Sequence, residues 1–172
     1  MAVIVFETPR LVGRRLGPAD LDAMAAVYGD LEAMRYVGDG TALSRAECER
    51  WIAVTAENYE KRGYGMFALA DRQTGEVVGF GGLIHFAGHG NEPEIKYALL
   101  RSAWGRGLAT EAARGLLDVA RHHGLTKVIA TVDPQHGASQ RVLAKAGMER
   151  GELRDDPDGT QTQMFYWRPD PR

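Results

Sequence analysis

The segment YALLRSAWGRGLATEAARGLLDVARHHG, residues 97–124, decides how this chain is read. An apolar run ends at Leu100, the hexad Trp104-Gly105-Arg106-Gly107-Leu108-Ala109 follows, and a strongly helical stretch begins. Two glycines and an arginine at a strand-to-helix junction admit two readings, a tight connection or an anion cradle. The cradle has a physical basis. A helix start leaves backbone N–H groups unpaired at the positive end of its dipole. Glycine lets the main chain approach a ligand and adopt turns closed to other residues, and a guanidinium adds a planar fork of donors. That combination suits a pyrophosphate. Two other phosphate loops are excluded: the chain has no G-x-x-x-x-G-K-S/T run, and Gly105-x-Gly107 lacks the third glycine of G-x-G-x-x-G.

Outward from this junction, local patterns divide the chain into elements. RLVGRRL, residues 10–16, alternates at period two and predicts an exposed edge strand. Pro18 opens a helix whose apolar stripe is Leu21, Met24, Val27 and Tyr28. DLEAMRYVGDGTAL, with glycines at 38 and 40, predicts a loop holding one helical turn. Ser44 and Glu47 form an S-x-x-E capping box for a helix that buries Cys48, Trp51, Ile52, Thr55 and Tyr59 and stops at Gly63. GMFALADRQTGEVVGFGGLIHF reads as two strands joined through a turn from Arg72 to Gly75. AGHGNEP is a glycine-rich loop, and EIKYALL is the third strand of this meander. TKVIATVD predicts a β-branched strand, and ASQRVLAKAG a short helix with Gly147 past its end. Strands around Met148 to Leu153 and Gln163 to Trp167 flank the turn DDPDGT. With no repeat, low-complexity tract or linker, the order predicts one α/β domain over residues 1–172, built on a mixed sheet.

The 172 residues are 44% hydrophobic and 26% charged, with a net charge of −2. This composition describes a globular chain with a real core. A near-neutral balance argues against nucleic acid or an anionic membrane as partner. Cys48 is the single cysteine, which excludes an internal disulfide and fits a reducing, cytoplasmic setting. The opening MAVIVFETPR lacks the basic and long apolar regions of a secretory signal.

The hexad Trp104 to Ala109 resembles the acetyl-coenzyme A binding motif of the GNAT N-acetyltransferases, Gln/Arg-x-x-Gly-x-Gly/Ala, with Trp104 at the Gln/Arg position. The resemblance is to the branch of RimJ/RimL type, and further stretches follow it in order: ETPRLVGRRLGPADLDAM, RGYGMFALADRQTGEVVGFGGL, EIKYALLRSAWGRGLATEA and ASQRVLAKAGM. His136 departs from the branch, which commonly has Asn in N-x-x-S, while the serine is kept as Ser139.

The resemblance implies a mostly antiparallel mixed sheet flanked by helices, in which the strand ending at Leu100 splays from the strand Lys127 to Asp133. The pantetheine arm of acetyl-CoA would lie in that wedge on the main chain of Ala98, Leu99 and Leu100, lined by Trp104, His136 and Ser139. The pyrophosphate would sit on the N–H groups of Gly105, Arg106, Gly107, Leu108, Ala109 and Thr110, and an N–H near Leu99 would form an oxyanion hole. The implied reaction is direct attack by a primary amine, on an N-terminal peptide or a small molecule, within a ternary complex. Glu94 is the candidate base; its alternative role is a charged residue at an exposed strand start. Ser139 is the candidate hydrogen-bond donor to the departing thiolate, or else bonds its own helix; Leu143 stands where many members carry tyrosine. Tyr36, Trp51 and Tyr64 are the expected wall of the acceptor cleft. Cys48 reads as a structural thiol. The neighbours His85, His89, Glu92 and Glu94 match no metal spacing, and His122 and His123 suit a helix end. A CoA-binding sensor or scaffold without catalysis is the alternative function, and the closing strands, expected to be exposed, fit both monomer and homodimer.

Overall fold

The computed structural model describes residues 2–37, 40–86 and 90–171. The elements are β1 (Ile4–Glu7), β2 (Leu11–Arg15), α1 (Leu21–Tyr28), α2 (Leu31–Met34), α3 (Arg45–Arg62), β3 (Met66–Asp71), β4 (Val77–Ile84), β5 (Glu94–Leu99), α4 (Leu108–His122), β6 (Val128–Val132), α5 (Gly137–Ala146), β7 (Glu149–Asp155) and β8 (Gln161–Trp167). Local signals place most of them. Ser44 Oγ accepts from the Glu47 N–H at 3.2 Å while Glu47 Oε2 accepts from the Ser44 N–H at 2.6 Å, which starts α3. Gly63, at φ 79°, ends it. Pro18 opens a short 3-10 turn, and α1 proper begins at Leu21.

The strands form one sheet in the order β1-β2-β3-β4-β5-β6-β8-β7. Every neighbouring pair is antiparallel except β5 and β6, which are joined by a crossover through α4, as parallel neighbours require. That pair is also the seam of the sheet. β5 and β6 share a single ladder pairing, Glu94 with Ile129, reinforced by the Ile129 N–H donating to the Pro93 carbonyl at 3.0 Å. Beyond it each strand keeps its outer partner: β4 follows β5 from Ile84↔Glu94 to Gly79↔Leu99, and β8 follows β6 from Val128↔Trp167 to Val132↔Gln163. The sheet therefore opens along one line.

Helices cover both faces. Met24 and Val27 of α1 and Cys48 and Ile52 of α3 pack with Met66, Ala68, Phe80 and Ala98 on one face. Ala113, Leu116 and Ala120 of α4 and Leu143 of α5 pack with Phe67, Leu83, Ile95 and Ala130 on the other. Leu11, Leu69, Leu99, Leu108 and Ala112 form a third cluster beneath the glycine junction. Among the described residues, no helix is long and apolar enough to cross a membrane.

Three expectations are corrected. The stretch 10–16 is not an edge strand: β1 lies outside β2, and Leu11 is fully buried. The period-two pattern reported a strand but not its neighbour, because β1 is held by a distant contact. The Phe6 ring fills a slot in which a Cβ on Gly13 would lie 2.2 Å away and one on Gly115 of α4 2.4 Å away. Second, the closing strands are not both exposed; β8 is interior and buries Met164, Phe165 and Trp167. Third, Trp51 on α3 is only half-buried beside the α1 cluster.

The Phe6 slot yields a sign test. Helix propensity favours Gly115→Ala by up to about 1 kcal/mol, whereas overpacking costs about 1–3 kcal/mol. The ring is held from two sides and has no easy retreat, so a net loss of stability in urea unfolding is expected. A gain would show that β1 is not clamped to α4.

Candidate active site

Past β5 the chain makes a short 3-10 turn, Arg101–Ala103, and reaches Trp104. Gly105 and Gly107 adopt φ 70° and 78°, a region that costs other L-residues about 1–2 kcal/mol. Gly107 occupies the N-cap position of α4 and brings no side-chain acceptor to its first amides. The first main-chain bond of the helix is Glu111 N–H to the Gly107 carbonyl at 3.2 Å. Among the described residues, the amides of residues 105–110 donate to no protein acceptor. Six consecutive donors at a helix start are thus available to an anion.

The β1–β2 turn, Thr8 to Arg10, reaches this junction. Glu111, in the first turn of α4, accepts from the Arg10 N–H at 2.7 Å, Arg10 Nε at 2.8 Å and the Thr8 hydroxyl at 2.5 Å. Arg10 Nη1 also donates to the Arg106 carbonyl at 2.7 Å. Burial works against the Glu111 carboxylate, but the bonds from Thr8 and Arg10 outweigh it and hold its pKa below the ordinary range. Sequence reasoning missed this brace; the ETPR stretch offered the residues, but nothing local paired them with position 111.

The seam offers its own groups. The Leu100 N–H donates to the Val78 carbonyl at 2.8 Å, and alternation along the ladder then turns the main chain of Ala98 toward β4 as well. Leu99 and Tyr97 consequently aim their amides and carbonyls at the opening. The indole of Trp104 donates to the Leu99 carbonyl at 3.0 Å, so Leu99 presents its N–H to the gap with its carbonyl already engaged. Of the expected cofactor contacts Ala98, Leu99 and Leu100, Leu99 turns its main chain to the gap, whereas Ala98 and the Leu100 N–H face β4. Register decides it, and register is not visible in a local pattern.

The two proposed reacting side chains flank the seam from opposite faces. Glu94 is 1% exposed, not at an exposed strand start. Its Oε1 accepts from Lys96 Nζ at 2.7 Å and from the Thr131 hydroxyl, and Lys96 Nζ lies 3.3 Å from Thr131 Oγ1. A carboxylate this buried requires such compensation. Strand alternation placed Lys96 on the face of Glu94, a signal that was present and unused. On the α4–α5 face, the Tyr97 hydroxyl lies 2.8 Å from Ser139 Oγ across the gap. Burial pushes the Tyr97 phenol up to about 12, against the pull of the Ser139 bond. Leu143 is buried core, so the hydroxyl beside Ser139 comes from β5 and not from α5.

The acceptor-wall residues do not converge. Tyr36 stacks on His136 with ring centroids 4.6 Å apart and planes 22° apart. Burial lowers the pKa of His136, with Asp133 acting in the other direction, and its side chain does not cap α5. Asp30 at the start of α2 accepts two bonds from Arg101, at 2.5 and 3.1 Å. The α2 segment therefore spans from the exit of β5 to the start of α5. Tyr64 is instead a buried residue bonded to His85 at 2.9 Å and set edge-on to His123 at 5.2 Å. The histidine–glutamate group also disperses: His85 pairs with Tyr64, Glu92 with Lys127 and Glu94 with Lys96, while His89 lies outside the described residues. Among the described residues, no three metal-ligating side chains converge. A depression of about 360 Å³ lined by Arg121, Glu149, Tyr166 and Arg168 sits at the far end of α4 and offers no part of this chemistry.

The Glu111 brace has a definite pH dependence. A carboxylate with a depressed folded pKa contributes stability that is complete above its unfolded value of about 4.3 and lost as pH falls through the folded value. The difference in unfolding free energy between the wild type and Glu111→Gln should be constant from about pH 7 to 5 and shrink below about pH 4. A difference that persists unchanged at pH 3 would show that ionised Glu111 is not what the brace holds.

The chain matches the family described as acetyltransferase (GNAT) domain over residues 10–149. It is 30% identical to an uncharacterized N-acetyltransferase, YoaA of Bacillus subtilis (strain 168), over 87% of this chain and 86% of that protein. It is 27% identical to an L-methionine sulfoximine/L-methionine sulfone acetyltransferase of Pseudomonas aeruginosa, over 79% and 78% of the two chains. The structure of RimL, a ribosomal alpha-N-protein acetyltransferase in complex with coenzyme A, superposes with a TM-score of 0.80 at 15% identity, covering 98% of each chain. The opened sheet and the glycine junction thus stand in a known frame, and the chain belongs to the GNAT acetyltransferase family.

Proposed function

We propose that this protein transfers the acetyl group of acetyl-CoA to a primary amine by direct attack in a ternary complex. The observation that carries the reading is the run of six unspent amides, residues 105–110, at the open end of the β5–β6 seam. Gly105 to Thr110 would hold the diphosphate, with Arg106 adding charge. The Leu99 N–H would bond the carbonyl oxygen as negative charge develops there. When bound, acetyl-CoA supplies an activated acyl thioester; the remaining tasks fall to side chains.

Glu94 is the proposed proton acceptor, directly or through a water. An α-amino group, with a pKa of about 8, asks less of it than a lysine amine near 10.4. Lys96 and Thr131 orient its carboxylate, and Lys96, about a third exposed, lines the route from solvent. Ser139 is the proposed donor to the departing sulfur, and Tyr97 holds its hydroxyl from the far side of the gap. The presence of that second hydroxyl favours catalysis over a sensor role, because it supplies what Leu143 does not. Tyr36 and His136 would border the acceptor at the mouth. Among relatives, one name specifies a small amino-acid analogue and one fold neighbour a protein N-terminus, so both amine classes belong in the assay.

Thiol release across a panel of amino acids, small amines and peptides should reveal turnover on at least one primary amine. Tight acetyl-CoA binding without thiol release on any acceptor would favour the sensor instead. Glu94→Gln should lower turnover by about 10²–10⁴-fold while leaving acetyl-CoA affinity nearly unchanged, with the deficit shrinking as rising pH deprotonates the amine. A rate indifferent to the change would remove Glu94 as base. Gly107→Pro deletes one donor and forbids the observed φ of 78°; unchanged acetyl-CoA affinity in calorimetry would refute the cradle.

A further inference from the structure

The geometry points to Arg10 as a positioning residue for diphosphate recognition, acting through the Arg106 carbonyl and the Glu111 carboxylate. The inference rests on the cradle reading above and extends it to a residue outside the glycine junction, 96 positions from Arg106 along the chain.

Consider first the peptide unit between Arg106 and Gly107. A trans peptide points its C=O and N–H in opposite directions. Arg10 Nη1 holds the Arg106 oxygen at 2.7 Å, which fixes the Gly107 N–H on the opposite side. This peptide follows one glycine at φ 70° and leads into another at φ 78°. Glycine tolerates either sign of φ, so without the guanidinium the unit is free to turn over and present a carbonyl oxygen where an anion must bind. Arg10 selects the donor-out orientation.

Charge is the second consideration. An acidic residue in the first helical turn is favourable to the helix alone, yet Glu111 would repel an incoming diphosphate. Arg10 engages that carboxylate with its amide at 2.7 Å and its Nε at 2.8 Å, and Thr8 adds a third bond at 2.5 Å. The pair is neutral as a unit. The positive field of the helix start and Arg106 is then left for the ligand.

The placement of Arg10 is itself rigid. The Arg72 N–H donates to the Arg10 carbonyl at 2.9 Å, Arg72 Nη1 donates to the Thr8 carbonyl at 3.0 Å, and the Leu11 N–H donates to the Thr8 hydroxyl at 3.0 Å. Stability alone does not account for the arrangement. The Arg10 side chain is 47% exposed, and an ion pair with so exposed a member adds little to stability. A guanidinium that joins a carboxylate to a carbonyl of the anion-binding turn serves the turn.

The test separates a role in the cradle from a role in the fold. Calorimetry compares acetyl-CoA with S-acetylpantetheine, which lacks the diphosphate, and inorganic pyrophosphate serves as a competitor. Arg10→Gln should weaken acetyl-CoA and pyrophosphate by about tenfold or more, the scale of one charge-assisted hydrogen bond, and leave S-acetylpantetheine affinity and the melting temperature nearly unchanged. Adding Glu111→Gln should recover part of the loss by removing the uncompensated charge. Should Arg10→Gln fail to fold, Arg10→Lys, which keeps the charge but cannot grip both partners, reads the same selectivity. Affinities unchanged, or lowered equally for the two thioesters, overturn this inference while leaving the functional reading intact. A wild-type protein that binds neither acetyl-CoA nor pyrophosphate overturns both.

Discussion

The parting of β5 from β6 after one ladder pairing is the constraint around which the molecule is arranged. Two strands that separate give up main-chain hydrogen bonds, and each abandoned group needs another partner. On β5 the Leu99 carbonyl finds the Trp104 indole, and its amide is left facing the gap. The outer neighbours, β4 and β8, stay fully paired, so the loss is confined to one line. The opening is affordable because it is narrow in register, and α4 closes the crossover that joins its two sides.

The seam also divides the chemistry by face. Glu94, Lys96 and Thr131 lie on the α1–α3 side, while Tyr97 and Ser139 meet on the α4–α5 side. Both sets bracket the same opening, so the proposed proton acceptor and the proposed proton donor would serve one reacting centre without touching each other. Their electrostatics differ. Glu94 is buried as an ion pair whose separation would strand a charge in a low-dielectric setting, whereas the Tyr97 hydroxyl is held neutral by burial. A surface pair such as Arg121 with Asp118 carries no such obligation and contributes little.

What could be read from the sequence was local. The Ser44–Glu47 capping box, the stops at Gly63 and Gly147, the turn at Arg72 to Gly75 and the glycine junction all follow from short-range geometry, and all appear where expected. What could not be read depended on contacts distant in the chain. Phe6 makes β1 a strand by filling a slot completed by Gly115. Arg10 meets Glu111 across 101 positions. Leu99, and not Ala98 or Leu100, faces the seam because of register with β4. Tyr64 is an expected cleft residue only through the family resemblance, whereas its contacts with His85 and His123, distant in the chain, accompany its burial in the core.

The α2 segment shows how one short element can tie these long-range placements together. It has a single turn, too short to be stable alone, and its ends are fixed from outside: Asp30 by the Arg101 guanidinium and Tyr36 by the His136 ring. Arg101 stands at the exit of β5 and His136 at the start of α5, the two sides of the opened seam. The segment at the proposed acceptor mouth is thus ordered by the same two elements that border the opened seam. A shift in the separation of β5 and β6 must move both anchors of α2, so the width of the gap and the shape of its mouth are set together. His136 in place of an N-capping asparagine fits this logic: the position gives up a cap on α5 and gains an aromatic partner for Tyr36.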